Sequence, residues 1–296
     1  MPEGHTLHRL ARRHLAAFGG RTVHVTSPQG RFAASAARLD GTVLRAVQAH
    51  GKHLFLGFSP PGPFDADGTA AADADPPPPG KQRRRPRPDR WLHVHLGLIG
   101  TFVFGTAPPP PARGALRLRI ESENAWADLR GPTACELLTE GEVGGVRARL
   151  GADPLRRDAD PGVAYARIRR SAVPIGALLM QQEVVAGVGN VYRAELLYRH
   201  RLDPWMPGRE LSQAGWEVLW GDLVVLMRDG LRRGRIVTTL PQDRPHRSGP
   251  VRDGEAHYVY RRTGLPCLVC ATLIVSEPMA GRTLYRCPYC QKSQPQ

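Results

Sequence analysis

Two closely spaced cysteine pairs near the end of the chain constrain its fold more than any other feature. They are CLVC at 267–270 and CPYC at 287–290, separated by residues 271–286. Two residues between thiolates let one turn aim both sulfurs at a tetrahedral ion, and two such turns complete a closed site. Four free thiols are the alternative. The spacing predicts one structural Zn²⁺ in a C-terminal zinc finger, with the ligands Cys267, Cys270, Cys287 and Cys290.

The charge balance points to a polyanionic partner, with nucleic acid first. The 296 residues carry a formal net charge of +14 and are 41% hydrophobic, which is typical of a globular, basic protein. A basic surface without a specific partner is the alternative. Arginine dominates this charge, and lysine, which can lose its proton where arginine cannot, is rare. The lysines are Lys52, Lys81 and Lys292.

The chain shows neither a secretory leader with an apolar centre nor an apolar run of about 18 residues that could span a bilayer. We therefore expect no membrane association and a cytoplasmic protein, associated with the nucleoid if the cell is prokaryotic. Cys135 stands apart from the two pairs and is expected to be a small buried apolar residue.

The first half of the chain has the pattern of a β-sandwich with an N-terminal helix. Apolar residues recur at roughly helical spacing from residue 3 to 18, and Gly19-Gly20 ends the run; these residues are Leu7, Leu10, Leu15 and Phe18. Alternating apolar and polar residues predict strands within 21–26, 41–49, 53–58, 91–105 and 115–130. The segment 60–90 is rich in proline and arginine and predicts a disordered insertion, more a solvated tether than a phosphate-binding arm.

Beyond residue 157 the pattern becomes helical. Helices are predicted within 162–171, 175–182, 190–200 and 209–234, and short strands surround the cysteines. In the last of these helices, Trp216, Leu219, Leu223 and Met227 belong to a continuous apolar stripe that we interpret as core. The fold class is therefore α+β with more than one domain.

The N-terminus, MPEGHT, raises the question of what a proline in second position does. Removal of Met1 would leave Pro2 with a free secondary amine, which holds its proton far less tightly than a lysine side chain. Only a neutral amine attacks an aldehyde-like carbon. Pro2 is thus a candidate nucleophile that would form a charged iminium, and an ordinary Met-Pro start is the alternative.

Two further motifs suggest contacts with phosphate. In VVAGVGNVYRAELLYRHRLDP (184–204), glycines precede a helix that we expect to begin at Asn190, and helix N-termini bind phosphate. Asn190 is either a plain N-cap or an N-cap that also holds DNA. In AHGKHLFLGF (49–58), Gly51 makes a hairpin turn with Lys52 at its tip, where a lysine is usually only solvated.

These motifs occur in a characteristic order. PEGHT, HGKHL, HLGLIG, AGVGNVYRAE and GRTLYRCPYCQ follow one another along the chain. The chain resembles the formamidopyrimidine-DNA glycosylase/endonuclease VIII family, and its PEG opening is most similar to the endonuclease VIII branch. The resemblance covers nearly the whole chain apart from 60–90.

The resemblance implies a bifunctional DNA glycosylase and AP lyase of base-excision repair that acts on damaged double-stranded DNA. It implies a catalytic β-sandwich domain over 1–138, a linker over 139–160, a helix–two-turn–helix domain over 161–258 and a zinc-finger β-hairpin over 259–296. DNA would lie in the cleft between the two halves. The protein is expected to be a monomer without a small-molecule cofactor, and its chemistry would need no metal.

By analogy, Pro2 attacks C1′ of the damaged nucleotide and expels the base, and Glu3 assists sugar-ring opening and shuttles protons. Lys52 would serve β-elimination and touch phosphate, and Arg282 would serve δ-elimination. The resemblance also implies that Asn190 contacts DNA at the lesion and that Leu98 fills the gap left by the flipped nucleotide. Arg130 would face the opposite strand, and Arg286 would lie near the leaving phosphate. For Leu98, an ordinary strand leucine is the alternative.

Two departures from the family pattern leave alternatives open. Thr6 stands about where many members carry a further glutamate, and the segment 241–257 occupies the region of a loop that caps oxidised purines. The PEG opening favours oxidised pyrimidines and abasic sites, whereas that loop keeps formamidopyrimidine and 8-oxoguanine lesions open. A non-catalytic zinc-finger DNA-binding protein is the rival class.

Overall fold

The computed structural model describes residues 2–62, 87–252 and 254–292. They divide into two compact units. The first unit holds Leu7–Arg147 together with Pro2, and the second holds Glu3–Thr6 with Ala148–Gln296. The predicted disordered insertion, 60–90, falls mainly on 63–86, which lies outside the described residues.

The first unit contains the β-sandwich. Its strands are β1 (Thr22–Thr26), β2 (Thr42–His50), β3 (His53–Ser59), β4 (Arg90–His95), β5 (Thr101–Thr106), β6 (Leu116–Glu121), β7 (Ala125–Arg130) and β8 (Ala134–Leu138). They run antiparallel in the order β5-β7-β6-β1-β2-β3-β4-β8. Its helices are α1 (Gly4–Phe18), α2 (Ala33–Leu39) and α3 (Glu140–Ala148).

Helix α1 supplies the predicted apolar stripe, with one correction. Leu7, Leu10 and Phe18 are buried in the core of the sandwich, but Leu15 is 52% exposed. His14 takes the buried position instead and packs edge-on against Phe102 and Phe104. Burial lowers the pKa of His14 to about 4, so this imidazole is neutral and fits an apolar core.

The predicted strand over 91–105 is wrong as a single element, because the chain turns at 96–100 between β4 and β5. Gly97 has a φ of +67°, and a Cβ there would lie 1.9 Å from Thr133 Oγ1. The long apolar run conceals this turn. Helices α2 and α3 were not expected; α3 places Val143 against Phe55 and Trp91 on the outer face of the sheet.

Cys135, on β8, packs partly buried against the sandwich core. Burial raises the pKa of its thiol to about 12, so the group remains a neutral thiol and behaves as a small apolar side chain.

The second unit is mainly helical. It contains α4 (Pro161–Ile168), α5 (Ile175–Leu178), α6 (Asn190–Arg199), α7 (Gln213–Arg233) and the hairpin of β9 (Val275–Met279) and β10 (Arg282–Arg286). The predicted stripe of α7 is buried in this unit's core, as expected. The expected helix 175–182 is shorter, and α7 starts later than 209 because Ser212 Oγ caps it by accepting from Gly215 N at 3.1 Å. No helix in the described part of the chain is both long and apolar enough to cross a membrane.

Candidate functional site

The carboxylate of Glu3 lies at the N-terminus of α6 and is completely buried. Its Oε2 accepts hydrogen bonds from the backbone N of Gly189 at 2.9 Å and of Tyr192 at 3.4 Å, and its Oε1 accepts from Val191 N at 2.8 Å. Three N–H donors and the positive end of the helix dipole stabilise the ionised carboxylate. The protein therefore holds Glu3 as an anion in a fixed position.

Glycines allow this close approach of the N-terminal segment to the loop before α6. Gly4 N donates to Gly187 O at 2.8 Å, and Gly187 has a φ of +94°. A Cβ at position 189 would lie 2.5 Å from Glu3 Cδ, so only glycine fits there. Pro2 directly precedes Glu3 in the chain and is partly buried.

The predicted role of Asn190 as an N-cap is wrong. Helix α6 begins at Asn190 as expected, but the N-cap position belongs to Gly189, which makes no side-chain cap. The Glu3 carboxylate satisfies the first N–H groups of the helix instead. No local pattern reveals this contact, because Glu3 and Val191 are 188 positions apart.

Asn190 instead ties α6 to the β9–β10 hairpin. Its Nδ2 donates to Thr283 O at 2.8 Å, and its Oδ1 accepts from the guanidinium of Arg193. Arg193 is fully buried and also donates to Thr283 O at 3.3 Å and Met279 O at 3.4 Å. Burial lowers the pKa of Arg193 to about 10, with Glu3 opposing the shift and Arg282 adding to it. Arg193 is thus a buried cation within electrostatic range of two of the candidate catalytic residues, Glu3 and Arg282, and sequence reasoning missed it.

The two hairpin arginines differ in their environment. Arg282 begins β10, is exposed, and lines an open depression of about 580 Å³ with Glu277, Gly281 and Thr283. Arg286, at the other end of β10, forms an ion pair with Glu277 at 2.7 Å. The cross-strand carboxylate therefore offsets much of the charge of Arg286, whereas Arg282 lies at the open tip.

Thr6 contacts the backbone of Glu3. Glu3 N donates to Thr6 Oγ1 at 3.4 Å, and Thr6 N donates to Glu3 O at 2.8 Å. The hydroxyl also lies 3.4 Å from His5 Nε2. Thr6 thereby helps to fix the start of α1 and the backbone conformation of Glu3, which directly precedes this helix.

In the first unit, Lys52 and Leu98 lie at the same end of the sheet. Lys52 occupies the turn after Gly51, whose φ is +57°, and β3 follows directly. The pairing of His53 with His95 brings the start of β3 beside the end of β4, from which the chain enters the turn of Leu98. In this turn Leu98 is 53% exposed and Ile99 is 83% exposed. Leu98 is therefore not a residue of a strand, and Ile99, which sequence reasoning did not single out, is exposed beside it.

Arg130 lies close to the same turn. It ends β7 and pairs with Thr101, the first residue of β5. Its guanidinium donates to Arg113 O at 2.5 Å and to Asp128 Oδ2 at 3.4 Å. Asp128 also holds the buried Arg119 through two hydrogen bonds of 2.6 and 2.9 Å, so a rigid acidic group orients the partly exposed Arg130.

The four cysteines flank the β9–β10 hairpin in sequence and lie together, with their sulfurs within 4.8 Å of one another. Separations of 3.4, 3.5 and 4.0 Å between Sγ atoms are close to the ~3.8 Å that tetrahedral bonds of about 2.3 Å to zinc require. The hydroxyl of Tyr198 lies 2.9 Å from Cys267 Sγ, as a donor to a thiolate ligand would. This group of residues could hold one tetrahedral metal ion.

Comparison with family models matches most of the chain. Residues 1–135 match the formamidopyrimidine-DNA glycosylase N-terminal domain. Residues 150–242 match the formamidopyrimidine-DNA glycosylase H2TH domain.

Curated relatives and solved structures agree with these matches. "Endonuclease 8 1" of Mycobacterium tuberculosis is 48% identical over 296 residues, covering 98% of this chain and 100% of the relative. The formamidopyrimidine-DNA glycosylase of Thermus thermophilus is 33% identical over 210 residues, covering 69% of this chain and 76% of the relative. A Lactococcus lactis Fpg solved in complex with abasic-site DNA superposes with a TM-score of 0.74 at 18% identity, over 98% of this chain and 100% of that one, which confirms the fold.

Proposed function

This chain belongs to the formamidopyrimidine-DNA glycosylase/endonuclease VIII family, and from that premise we propose that it is a base-excision-repair enzyme, a bifunctional DNA glycosylase and AP lyase. The observation that carries the proposal is the buried Glu3 carboxylate, fixed by three backbone N–H groups and directly following Pro2. A protein that only binds DNA has no evident use for such a carboxylate beside a proline whose secondary amine the removal of Met1 would expose.

In the proposed first step, the neutral amine of Pro2 attacks C1′ of the damaged nucleotide. The N–C1′ bond forms as the glycosidic bond breaks, and the bonding electrons leave with the base. The amine releases its proton, and the adjacent Glu3 carboxylate accepts it. Glu3 then returns that proton to O4′ as the sugar ring opens, which leaves a cationic iminium on Pro2. Because Glu3 is held as an anion, it can protonate O4′ only after it has accepted a proton. The proton released by the Pro2 amine in the preceding step meets this requirement.

Strand cleavage follows from the iminium. It withdraws electrons from C1′ and so acidifies the hydrogen on C2′. Loss of this proton expels the 3′ phosphate, and a second elimination expels the 5′ phosphate. We assign the first elimination to Lys52 and the second to Arg282, whose exposed cation at the tip of β10 suits a departing phosphate.

The remaining proposed residues hold the DNA. Leu98 fills the gap left by the flipped nucleotide, since an exposed apolar side chain on a tight turn can enter a base stack. Arg130 faces the opposite strand. Asn190 Nδ2 has two N–H groups, so it can donate to a phosphate while it holds Thr283 O. Arg286 contributes less, because Glu277 offsets its charge.

The metal of the cysteine cluster is proposed to be one Zn²⁺ with a structural role. Protein sulfurs fill all four positions, so the ion would fix the β9–β10 hairpin and thereby Arg282. We further propose that the enzyme works as a monomer on damaged double-stranded DNA, without a small-molecule cofactor. Oxidised pyrimidines are the proposed lesions, and formamidopyrimidine and 8-oxoguanine are the alternative.

Borohydride trapping on duplex DNA with one abasic site tests the proposed class of enzyme. The intact protein should form a covalent adduct and nick the strand with both 3′ and 5′ phosphate ends. Binding without an adduct would instead identify a non-catalytic DNA-binding protein. A panel of thymine glycol, 5-hydroxyuracil and 8-oxoguanine opposite cytosine then decides the lesion class, and faster cutting at 8-oxoguanine would reject oxidised pyrimidines as the main substrate.

A further inference from the structure

The fully buried Arg193 of α6 is held without a hydrogen-bonded carboxylate. In the described part of the chain its guanidinium donates to neutral oxygens, which are the backbone carbonyls of Met279 and Thr283 and the side-chain amide of Asn190. Its Nε has no hydrogen-bond partner among the described residues. Burying a cation costs free energy, and hydrogen bonds to neutral oxygens offset this cost less than a bonded carboxylate does. A role in the site is therefore a better account of Arg193 than a contribution to stability.

The carbonyls that Arg193 holds lie on both sides of the β9–β10 turn. Met279 pairs with Arg282 across the hairpin, so the turn consists of residues 280–281. Both have a positive φ, +50° and +68°, as in the turns that fit tight hairpins. Arg193 Nη1 donates to Met279 O at 3.4 Å before the turn, and Nη2 donates to Thr283 O at 3.3 Å after it. One planar guanidinium thus bridges the two strands at the turn that carries Arg282.

The same guanidinium determines how the side-chain amide of Asn190 is oriented. Arginine only donates hydrogen bonds, so the amide turns its Oδ1 toward Arg193. The Nδ2 of Asn190 then faces the hairpin and donates to Thr283 O at 2.8 Å. Thr283 O therefore accepts from two side chains of α6, and these bonds fix the strand directly after Arg282.

Arg193 also places a second positive charge near Arg282. Burial is the main cause that lowers the pKa of Arg193, and the charge of Arg282 adds to it, so the two guanidinium groups repel each other. An anion that binds beside two fixed cations relieves such repulsion. Because Arg193 is fully buried, it can act on a phosphate only through the position of Arg282 and through its own electric field.

We propose that Arg193 is a positioning residue for the second elimination, which holds the carbonyls on both sides of the β9–β10 turn and so fixes Arg282 beside the departing 5′ phosphate. This inference rests on the proposed function and deepens it. In that step a proton leaves C4′ and the bond from C5′ to the phosphate oxygen breaks, with its electrons leaving on the phosphate. A fixed Arg282 stabilises the negative charge that the phosphate gains.

The test follows both eliminations on duplex DNA with one abasic site, with enzyme in saturating excess, in wild type, Arg193→Met, Arg193→Lys and Arg199→Met. Methionine fills much of the same space without a charge. Arg199 is the matched control, because it is also a largely buried arginine of α6, but its guanidinium bonds Asp222 and Thr238 O instead of the hairpin.

We expect Arg193→Met to slow the second elimination about tenfold, the size typical of a misplaced catalytic group, and to leave the first elimination and the borohydride adduct at wild-type rates. Arg193→Lys keeps the charge but lacks the planar fork, so its second elimination should fall between those of wild type and Arg193→Met. Arg199→Met should keep the wild-type ratio of products, even if it lowers Tm. A wild-type product ratio in both Arg193 variants would overturn the inference.

A double-mutant cycle with Arg282→Ala asks whether Arg193 acts through Arg282. If it does, Arg193→Met should change the second elimination by no more than about twofold once Arg282 has been replaced. An equal slowing in both backgrounds would overturn the inference, because Arg193 would then act independently of Arg282.

Amide hydrogen exchange of the free protein checks the contact without DNA or activity. Peptides from 275–286 should exchange faster in Arg193→Met than in wild type and Arg199→Met, because the hairpin opens more easily without the bridging guanidinium. Unchanged exchange in these peptides would overturn the inference. Absence of a borohydride adduct in wild type would refute the proposed function, whereas a normal adduct with unchanged products in the Arg193 variants would refute this inference alone.

Discussion

Replacing Glu3 by Gln should destabilise the second unit in addition to its effect on catalysis. The carboxylate accepts three backbone N–H groups in a fully buried position. Glutamine keeps one acceptor oxygen and turns an N–H₂ group toward donors, so at least one charge-assisted bond is lost at about 1.5–3 kcal/mol, with up to ~1 kcal/mol more from the helix dipole. We therefore expect a loss of about 2–4 kcal/mol, or roughly 5–15 °C in Tm for a unit of this size.

Scanning calorimetry measures this effect, with Glu183→Gln as the control. Glu183 is an exposed glutamate of the same unit, and its substitution should leave Tm within about 1 °C of wild type. Equal Tm values for Glu3→Gln and wild type would refute the reasoning, because the carboxylate would then not be held by the first N–H groups of α6. Activity of the variant should be measured well below its Tm, so that lost catalysis is distinguished from unfolding.

Three further outcomes follow from the described contacts. Burial alone would raise the pKa of Asp222, but hydrogen bonds from His200 and Arg199 lower it to about 2, whereas the pKa in the unfolded chain is near 3.8. The ionised carboxylate should therefore contribute about 1–2 kcal/mol of stability above pH 4, and this contribution should be lost as the pH falls toward 2. Acid unfolding of Asp222→Asn should lack this step. Gly97→Ala should lower the free energy of unfolding in urea by about 2–4 kcal/mol, because the added Cβ meets the side chain of Thr133. Gly30→Ala, at a φ of +82° with open space around it, should lower the free energy of unfolding by only about 1 kcal/mol. Equal losses in the two variants would argue against the contact at Gly97. Elemental analysis should find one zinc per chain, and its chelation should lower the Tm of the second unit, whereas a metal-free protein with the same Tm would exclude a structural ion.

Much of the fold could be predicted because strong local patterns specify it. The predicted apolar stripe of α7 is buried, and the four cysteines of the two pairs lie close together, as their spacing predicts. Helix α2, AASAARL, was missed because its small residues bury little and leave no clear stripe. The turn at 96–100 was missed because Leu98 and Ile99 are apolar although they are exposed.

The candidate site was less accessible to sequence reasoning, because its geometry depends on distant contacts. Asn190 looked like an N-cap, since its residue type and position fit that role, but a carboxylate from the N-terminal segment occupies the end of the helix. Hydrogen bonds from His53 to His93 and from His93 to Glu136 join β3, β4 and β8, and these contacts become visible only once the strand register is known. Patterns along the chain predict elements, whereas packing decides which functional groups meet.

The central claim is that the N-terminal secondary amine of Pro2 makes the covalent bond to the sugar. Tandem mass spectrometry of the borohydride-reduced complex, after digestion of protein and DNA, tests it most directly. We predict a peptide that begins at Pro2 and carries the reduced deoxyribose on its imino nitrogen. A modified Lys52, or an active protein that still begins with Met1, would contradict the account.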